Sequence, residues 1–105
     1  MRIQVNMDNR IGGTAPKISN FKALVAEKLA RFGERITRVE VHLTDANGPQ
    51  KTGGDDIRCL LEVRLAGLQP VSVTERGNSQ DQALRGAVNK MQNLIDRTLG
   101  KLEKR

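Results

Sequence analysis

One histidine, one cysteine, one pair of adjacent aspartates and a C-terminal stripe of lysine and arginine are the residues of this 105-residue chain whose types could do chemistry. His42 lies in an alternating segment with no nucleophile or metal-ligand cluster spaced around it, which argues against a catalytic base. Cys59 falls in phase with Ile57 and Leu61 and so reads as a small buried hydrophobe, not a reactive thiol. Asp55-Asp56 stands in a glycine-bearing loop but lacks the ligand series of a calcium site. Ile11-Gly12-Gly13-Thr14 is not followed by the Gly-Lys-Ser/Thr of a phosphate loop. The expectation is a protein that is no enzyme and takes no cofactor, metal or small-molecule substrate.

The cations form a more coherent pattern. The net charge is +6, with six cations against two anions over residues 17–38, six against three over 81–105, and four against six over 39–80. On a helical wheel of about 100° per residue, Leu84, Val88, Met91, Ile95 and Leu102 share one face, with Ala87 and Thr98 on its margin. Arg97, Lys101 and Lys104 lie within roughly 40° of Lys90 on another face. One helix therefore docks on a core and presents a basic stripe, with Arg105 beside it at the terminus. Lys28, Arg31 and Arg35 on the flank of an earlier helix extend the basic surface, with Arg35 near or beyond its last turn. Positive charge on helices suits the phosphates of folded RNA. Only Phe21 and Phe32 are aromatic, so the exposed face of a sheet has no ring on which to stack bases.

Several elements must position these groups. Ile3, Val5 and Met7 alternate with Arg2, Gln4 and Asn6 in a first strand. A first helix starts either at Thr14 with Pro16 or, the favoured reading, at a cap on Ser19; Phe21, Val25, Leu29 and Phe32 form its apolar stripe and Gly33 its stop. Val39, Val41 and Leu43 define a second strand over 36–44. Ile57, Cys59, Leu61, Val63 and Leu65 define a central third strand, after a polar loop, Asp45 to Asp56, in which mobility is expected. Ala66-Gly67 reverses the chain into a fourth strand, Leu68 to Glu75, which Pro70 confines to an edge. Ser79 and Gln82 form a capping box for the last helix, starting near Gln80, and Gly86 within it suggests a close helix crossing.

The resulting order, β-α-β-β-β-α, gives an α+β fold: a four-stranded mixed sheet with both helices packed on one face. The other face would present Arg38, Glu40, His42, Arg58, Glu62, Arg64, Ser72 and Thr74, with almost no net charge. The length fits a single domain over 1–105. No apolar run is long enough to span a bilayer and the N-terminus lacks the apolar block of a secretion signal, so no membrane association is expected and the compartment is read as cytoplasmic.

These residues resemble the ribosome hibernation-promoting factors and ribosome-associated inhibitors, once described as sigma modulation proteins, over nearly the whole chain. The resemblance lies in the opening Met-Arg-Ile-Gln-Val, in Val25-Ala26-Glu27-Lys28-Leu29-Ala30-Arg31-Phe32, in Arg38-Val39-Glu40-Val41-His42-Leu43, and in Lys90-Met91 with the trailing Arg97 and Lys101. It implies a fold akin to double-stranded-RNA-binding domains and a site in the decoding channel of the small ribosomal subunit, where the protein would block mRNA and tRNA binding. By that likeness Lys28, Arg31, Lys90 and Arg97 match basic positions of the family, while Lys22, Lys101, Lys104 and Arg105 are RNA-binding candidates from the wheel and the terminus. Where the family has Tyr and Asp near the start of the last helix, this chain has Asp81 and Arg85. The chain ends at that helix, as expected of a short form. The alternative reading is a protein-interaction module, a weak homodimer joined through the strand-four edge.

Overall fold

The computed structural model of the chain describes residues 1–8, 15–45 and 56–103. Its elements are β1 (Arg2–Met7), α1 (Ala15–Leu29), a 3₁₀ segment (Ala30–Arg35), β2 (Ile36–Asp45), β3 (Ile57–Leu65), β4 (Val71–Gly77) and α2 (Gln80–Glu103). The strands form one mixed sheet in the order β1-β2-β3-β4, with β1 parallel to β2 and the remaining pairs antiparallel. A parallel pair of consecutive strands requires a crossover, and α1 supplies it. The expected α+β architecture is the one observed.

Period-two alternation puts Val39, Val41 and Leu43 of β2 and the five odd-numbered residues Ile57 to Leu65 of β3 on one buried face. Phe21, Val25 and Leu29 of α1, with Leu84, Val88, Met91 and Ile95 of α2, close over it. α1 lies toward β1 and α2 toward β3 and β4. The helices run parallel, since Lys28 meets Gln92 and Arg31 meets Asp96 as both helices advance. No polar or charged side chain is buried among the described residues, so every one of their cations lies on an outer surface.

The structure departs from the sequence reading at several boundaries. α1 begins at Ala15, not after Ser19. Pro16 fits the first helical turn, where its missing N–H is not needed, and Ser19 and Asn20 become exposed positions inside the helix. The α-helix ends at Leu29 and tightens into 3₁₀ turns before Gly33, whose φ of 54° breaks the helical path as the stop signal required. β4 starts at Val71 and runs to Gly77, so Pro70 precedes the strand, and the edge place follows from the strand order. In β2 the register with β3 shifts between Ile36 and Arg38. This bulge turns Ile36 into the core although Arg38, two residues on, points to solvent.

At the start of α2, Ser79 Oγ accepts from the Gln82 N–H at 3.1 Å. The reciprocal bond of the capping box goes one residue upstream, with Gln82 Oε1 accepting from the Asn78 N–H at 2.8 Å. Helix α2 has 24 residues, about 36 Å at 1.5 Å per residue, against roughly 30 Å for the nine residues of β3. Its last turns therefore overhang the sheet, and Leu102, expected on the core face, stays 39% exposed. Gly86 marks no helix crossing: a Cβ there would lie 2.7 Å from Glu75 Cγ, on β4. Gly77 is the tighter position, where a Cβ would lie 2.7 Å from the backbone nitrogen of Ala83. The polar loop between β2 and β3, Ile11 to Thr14, Asp55, Lys104 and Arg105 lie outside the described residues.

Two measurements check this packing. Gly77→Ala should cost about 1–3 kcal/mol in denaturant unfolding, because the backbone of α2 must shift to admit the methyl. Burial pushes the Cys59 thiol up to about 12, from 9.0. Alkylation of the native protein at pH 8 should therefore be far slower than that of the unfolded chain, and native labelling at the unfolded rate would contradict the buried position.

Candidate nucleic-acid interface

The predicted site residues divide between two flanks of α2. Arg85, Val88 and Asn89 of α2 face Leu24 and Lys28 of α1 across a groove. Gln92 Nε2 donates to the Lys28 carbonyl at 2.8 Å, which anchors that backbone and leaves the lysine side chain exposed. Arg31 continues this flank and pairs with Asp96 at 2.8 Å, both half-exposed, with its guanidinium 4.6 Å from the Phe32 ring centre. The pair ties α1 to α2. Lys22 is exposed but about 160° around α1 from Leu24, on the flank away from the groove.

Arg97 and Lys101 lie within about 20° of Lys90, itself roughly 140° around α2 from Arg85. They form the expected stripe, but on the side toward β4. Lys90 is drawn down onto the sheet: its ammonium lies 3.4 Å from Glu75 and donates to the Thr74 carbonyl at 3.3 Å. The absence of a side chain at Gly86 makes room for Glu75. Arg97 and Lys101 are exposed beside Gly100, next to Asp96, and no ion pair holds either among the described residues. The cations of the helix layer are thus of two kinds. Lys22, Lys28, Arg97 and Lys101 are exposed and unpaired among the described residues, whereas Arg31 and Lys90 hold elements together.

The open face of the sheet departs most from the sequence reading. Arg2 of β1 and Arg76 of β4 share it with Arg38, Arg58 and Arg64, so five arginines stand against Glu40 and Glu62, a net +3 where almost none was expected. Arg38 sits opposite Arg2 on one side and opposite Arg64 on the other, and Arg58 opposite Arg76. Between these end rows a hydrogen-bonded chain runs from Arg38 to Gln4 (3.1 Å) and from Gln4 to Asn6 (3.2 Å), with Asn6 Nδ2 3.4 Å from His42 Nδ1. Alternation alone shows that these arginines point outward, but only the strand register stacks them into rows.

Arg85, which lines a cleft of about 670 Å³ at the N-terminal ends of both helices, was also missed; it pairs with Asp81 at 2.8 Å. Asp56 of the aspartate pair lies 3.5 Å from Arg76, an ion pair in place of a cation site. No three His, Cys, Asp or Glu side chains gather to hold a metal ion among the described residues. Nor is any described helix long and apolar enough to cross a membrane.

Three comparisons with known proteins bear on this surface. The profile of the family described as "Sigma 54 modulation protein / S30EA ribosomal protein" matches residues 19–103. No curated protein matches the sequence significantly. Among solved structures, the N-terminal domain of Thermus thermophilus Protein Y is similar at 24% identity and a TM-score of 0.67, covering 93% of this chain and 99% of that one. A ribosomal subunit interface protein from Coxiella burnetii is similar at 12% identity and a TM-score of 0.71, covering 95% and 99%. At these identities the likeness speaks for the fold. The architecture read from the residues is thus shared with both.

The division of the cations is testable in the free protein. A double-mutant cycle on Arg31→Met and Asp96→Asn should give a coupling of about 0.2–1 kcal/mol, the range of exposed ion pairs, while Arg97→Met should leave stability within about 0.5 kcal/mol.

Proposed function

Because this chain belongs to the sigma 54 modulation protein / S30EA ribosomal protein family, we propose that it binds the small ribosomal subunit in the cytoplasm and silences translation by occupying the decoding channel. Residues 1–105 act in this reading as one ribosome-associated domain. The observation that carries it is the set of unpaired cations on the helix layer of a protein with this family membership. Lys28, Arg97 and Lys101 project from rigid helices whose other faces are locked to the sheet, so their ammonium and guanidinium groups are held where phosphates can meet them. No bond is made or broken. The protein excludes mRNA and tRNA by its volume, and the cations supply affinity and orientation.

Arg31 and Lys90 take part differently from Lys28 and Arg97. Each already has a carboxylate partner, Asp96 and Glu75, so a phosphate must compete for it. Lys22 and, from the sequence reading, Lys104 and Arg105 complete the proposed contacts. The homodimer alternative loses support at the β4 edge. The Thr74 carbonyl accepts from Lys90, and the Arg76 N–H donates to Glu75 at 3.1 Å. Side chains thus occupy main-chain groups that an added strand would need.

Co-sedimentation with isolated small subunits across a salt series tests the proposal. Binding should fall steeply between about 50 and 200 mM salt. Lys28→Gln with Arg97→Gln should reduce the slope of log K against log salt by roughly 1 per contact and weaken binding by roughly tenfold for each. Salt-insensitive binding, or binding unchanged by both substitutions, would contradict it.

A further inference from the structure

We propose that the open face of the sheet is a second phosphate-binding surface, so that the chain grips RNA backbone on two opposite sides. This rests on the reading of the chain as an RNA-binding factor and goes beyond it by naming a face that neither helix supplies.

The first ground is energetic. Like charges directly opposite on neighbouring strands destabilise a sheet, and Arg38 faces an arginine on each side. The fold does not need these groups. The guanidinium groups of Arg2, Arg58 and Arg64 make no hydrogen bond or ion pair among the described residues, and only Arg38 and Arg76 have a carboxylate nearby, Glu40 at 3.2 Å and Asp56 at 3.5 Å. A repulsive arrangement compensated within the protein only at Arg38 and Arg76 is what an anionic partner would relieve further.

The second ground is chemical. Every cation of the open face is arginine among the described residues, whereas lysine predominates in α1. Arginine's planar fork binds phosphate oxygens in pairs, which suits a polyphosphate ridge better than a point charge does. Arg58 and Arg64, six residues apart on β3, place the two rows roughly 20 Å from each other. The strip between them carries amide, imidazole and hydroxyl groups on Asn6, His42, Ser72 and Thr74, suited to the sugars between two runs of phosphate, and Glu40 opposite Glu62, carboxylates that keep the phosphate contacts to the two arginine rows. A protein partner fits less well. Such interfaces centre on buried aromatic or apolar anchors, and the large apolar side chain exposed on this face is Leu60 alone, at 38%.

Filter binding to isolated small subunits with the full chain separates this inference from the reading it rests on. Three proteins are compared: the unaltered chain, Lys28→Gln/Arg97→Gln, and Arg58→Gln/Arg64→Gln. The sheet variant should bind at least tenfold more weakly, with a salt slope shallower by about 1–2, and should melt no lower than the unaltered chain. If the double variant folds poorly, Arg64→Gln alone, which relieves the repulsion with Arg38, should still weaken binding. Unchanged affinity and slope in a folded sheet variant, with the helix variant weakened, would overturn the second surface and leave the proposed function standing. A weakened sheet variant beside an unchanged helix variant would support the open face and overturn the helix contacts. Failure of the unaltered chain to bind would overturn both. A concentration-dependent dimer abolished only in the sheet variant, with RNA affinity intact, would reassign the face to self-association and overturn the inference.

Discussion

The burial of a single aliphatic sheet face beneath two parallel helices is the constraint on which everything else depends. With two phenylalanines and no tryptophan or tyrosine, the chain has to exclude water with branched aliphatic side chains and alanines. These fill β2, β3 and the inward stripes of α1 and α2 completely enough that no described polar or charged side chain is buried. The described cations must therefore lie on two outer surfaces, one made by the helices and the other by the open side of the sheet. The basicity of both surfaces follows from a one-sided core in a strongly cationic chain.

Local contacts then decide which cations remain available. Arg31 and Asp96 clasp the helices together, and Lys90 reaches Glu75 past the space left by Gly86. The same lysine and glutamate occupy main-chain groups of the edge strand β4, a protection against unwanted strand pairing. Lys28, Arg97 and Lys101 have no such duty. A basic stripe on a helical wheel thus mixes structural and free cations, and only the tertiary neighbours distinguish them.

Much of the fold was legible because its signals are local. The alternation of Ile57 to Leu65 marked β3 at both ends, and Ser79 with Gln82 located the start of α2. The misjudged boundaries arose where local signals compete: Ser19 is a good cap, but Pro16 is a good first-turn residue, and the helix follows the proline. The bulge that turns Ile36 inward has no signature within β2, since it is set by pairing with β3. Leu102 lies in phase with the apolar stripe, yet no sheet extends beneath it. The arginine rows escaped for a related reason. Arg2, Arg38 and Arg64 are separated by dozens of residues in sequence and come together only through the parallel register of β1 with β2 and the antiparallel register of β2 with β3.

The proposed function requires the helix surface to rest directly on ribosomal RNA. The most direct test places a photo-activated cross-linker at Asn93, on the exposed ridge of α2 between its two basic flanks, and irradiates the complex with small subunits. Cross-links to ribosomal RNA are expected at a few discrete positions, suppressed when mRNA and tRNA already fill the decoding channel. Cross-links confined to ribosomal proteins, or RNA cross-links indifferent to mRNA and tRNA, would contradict the proposed function.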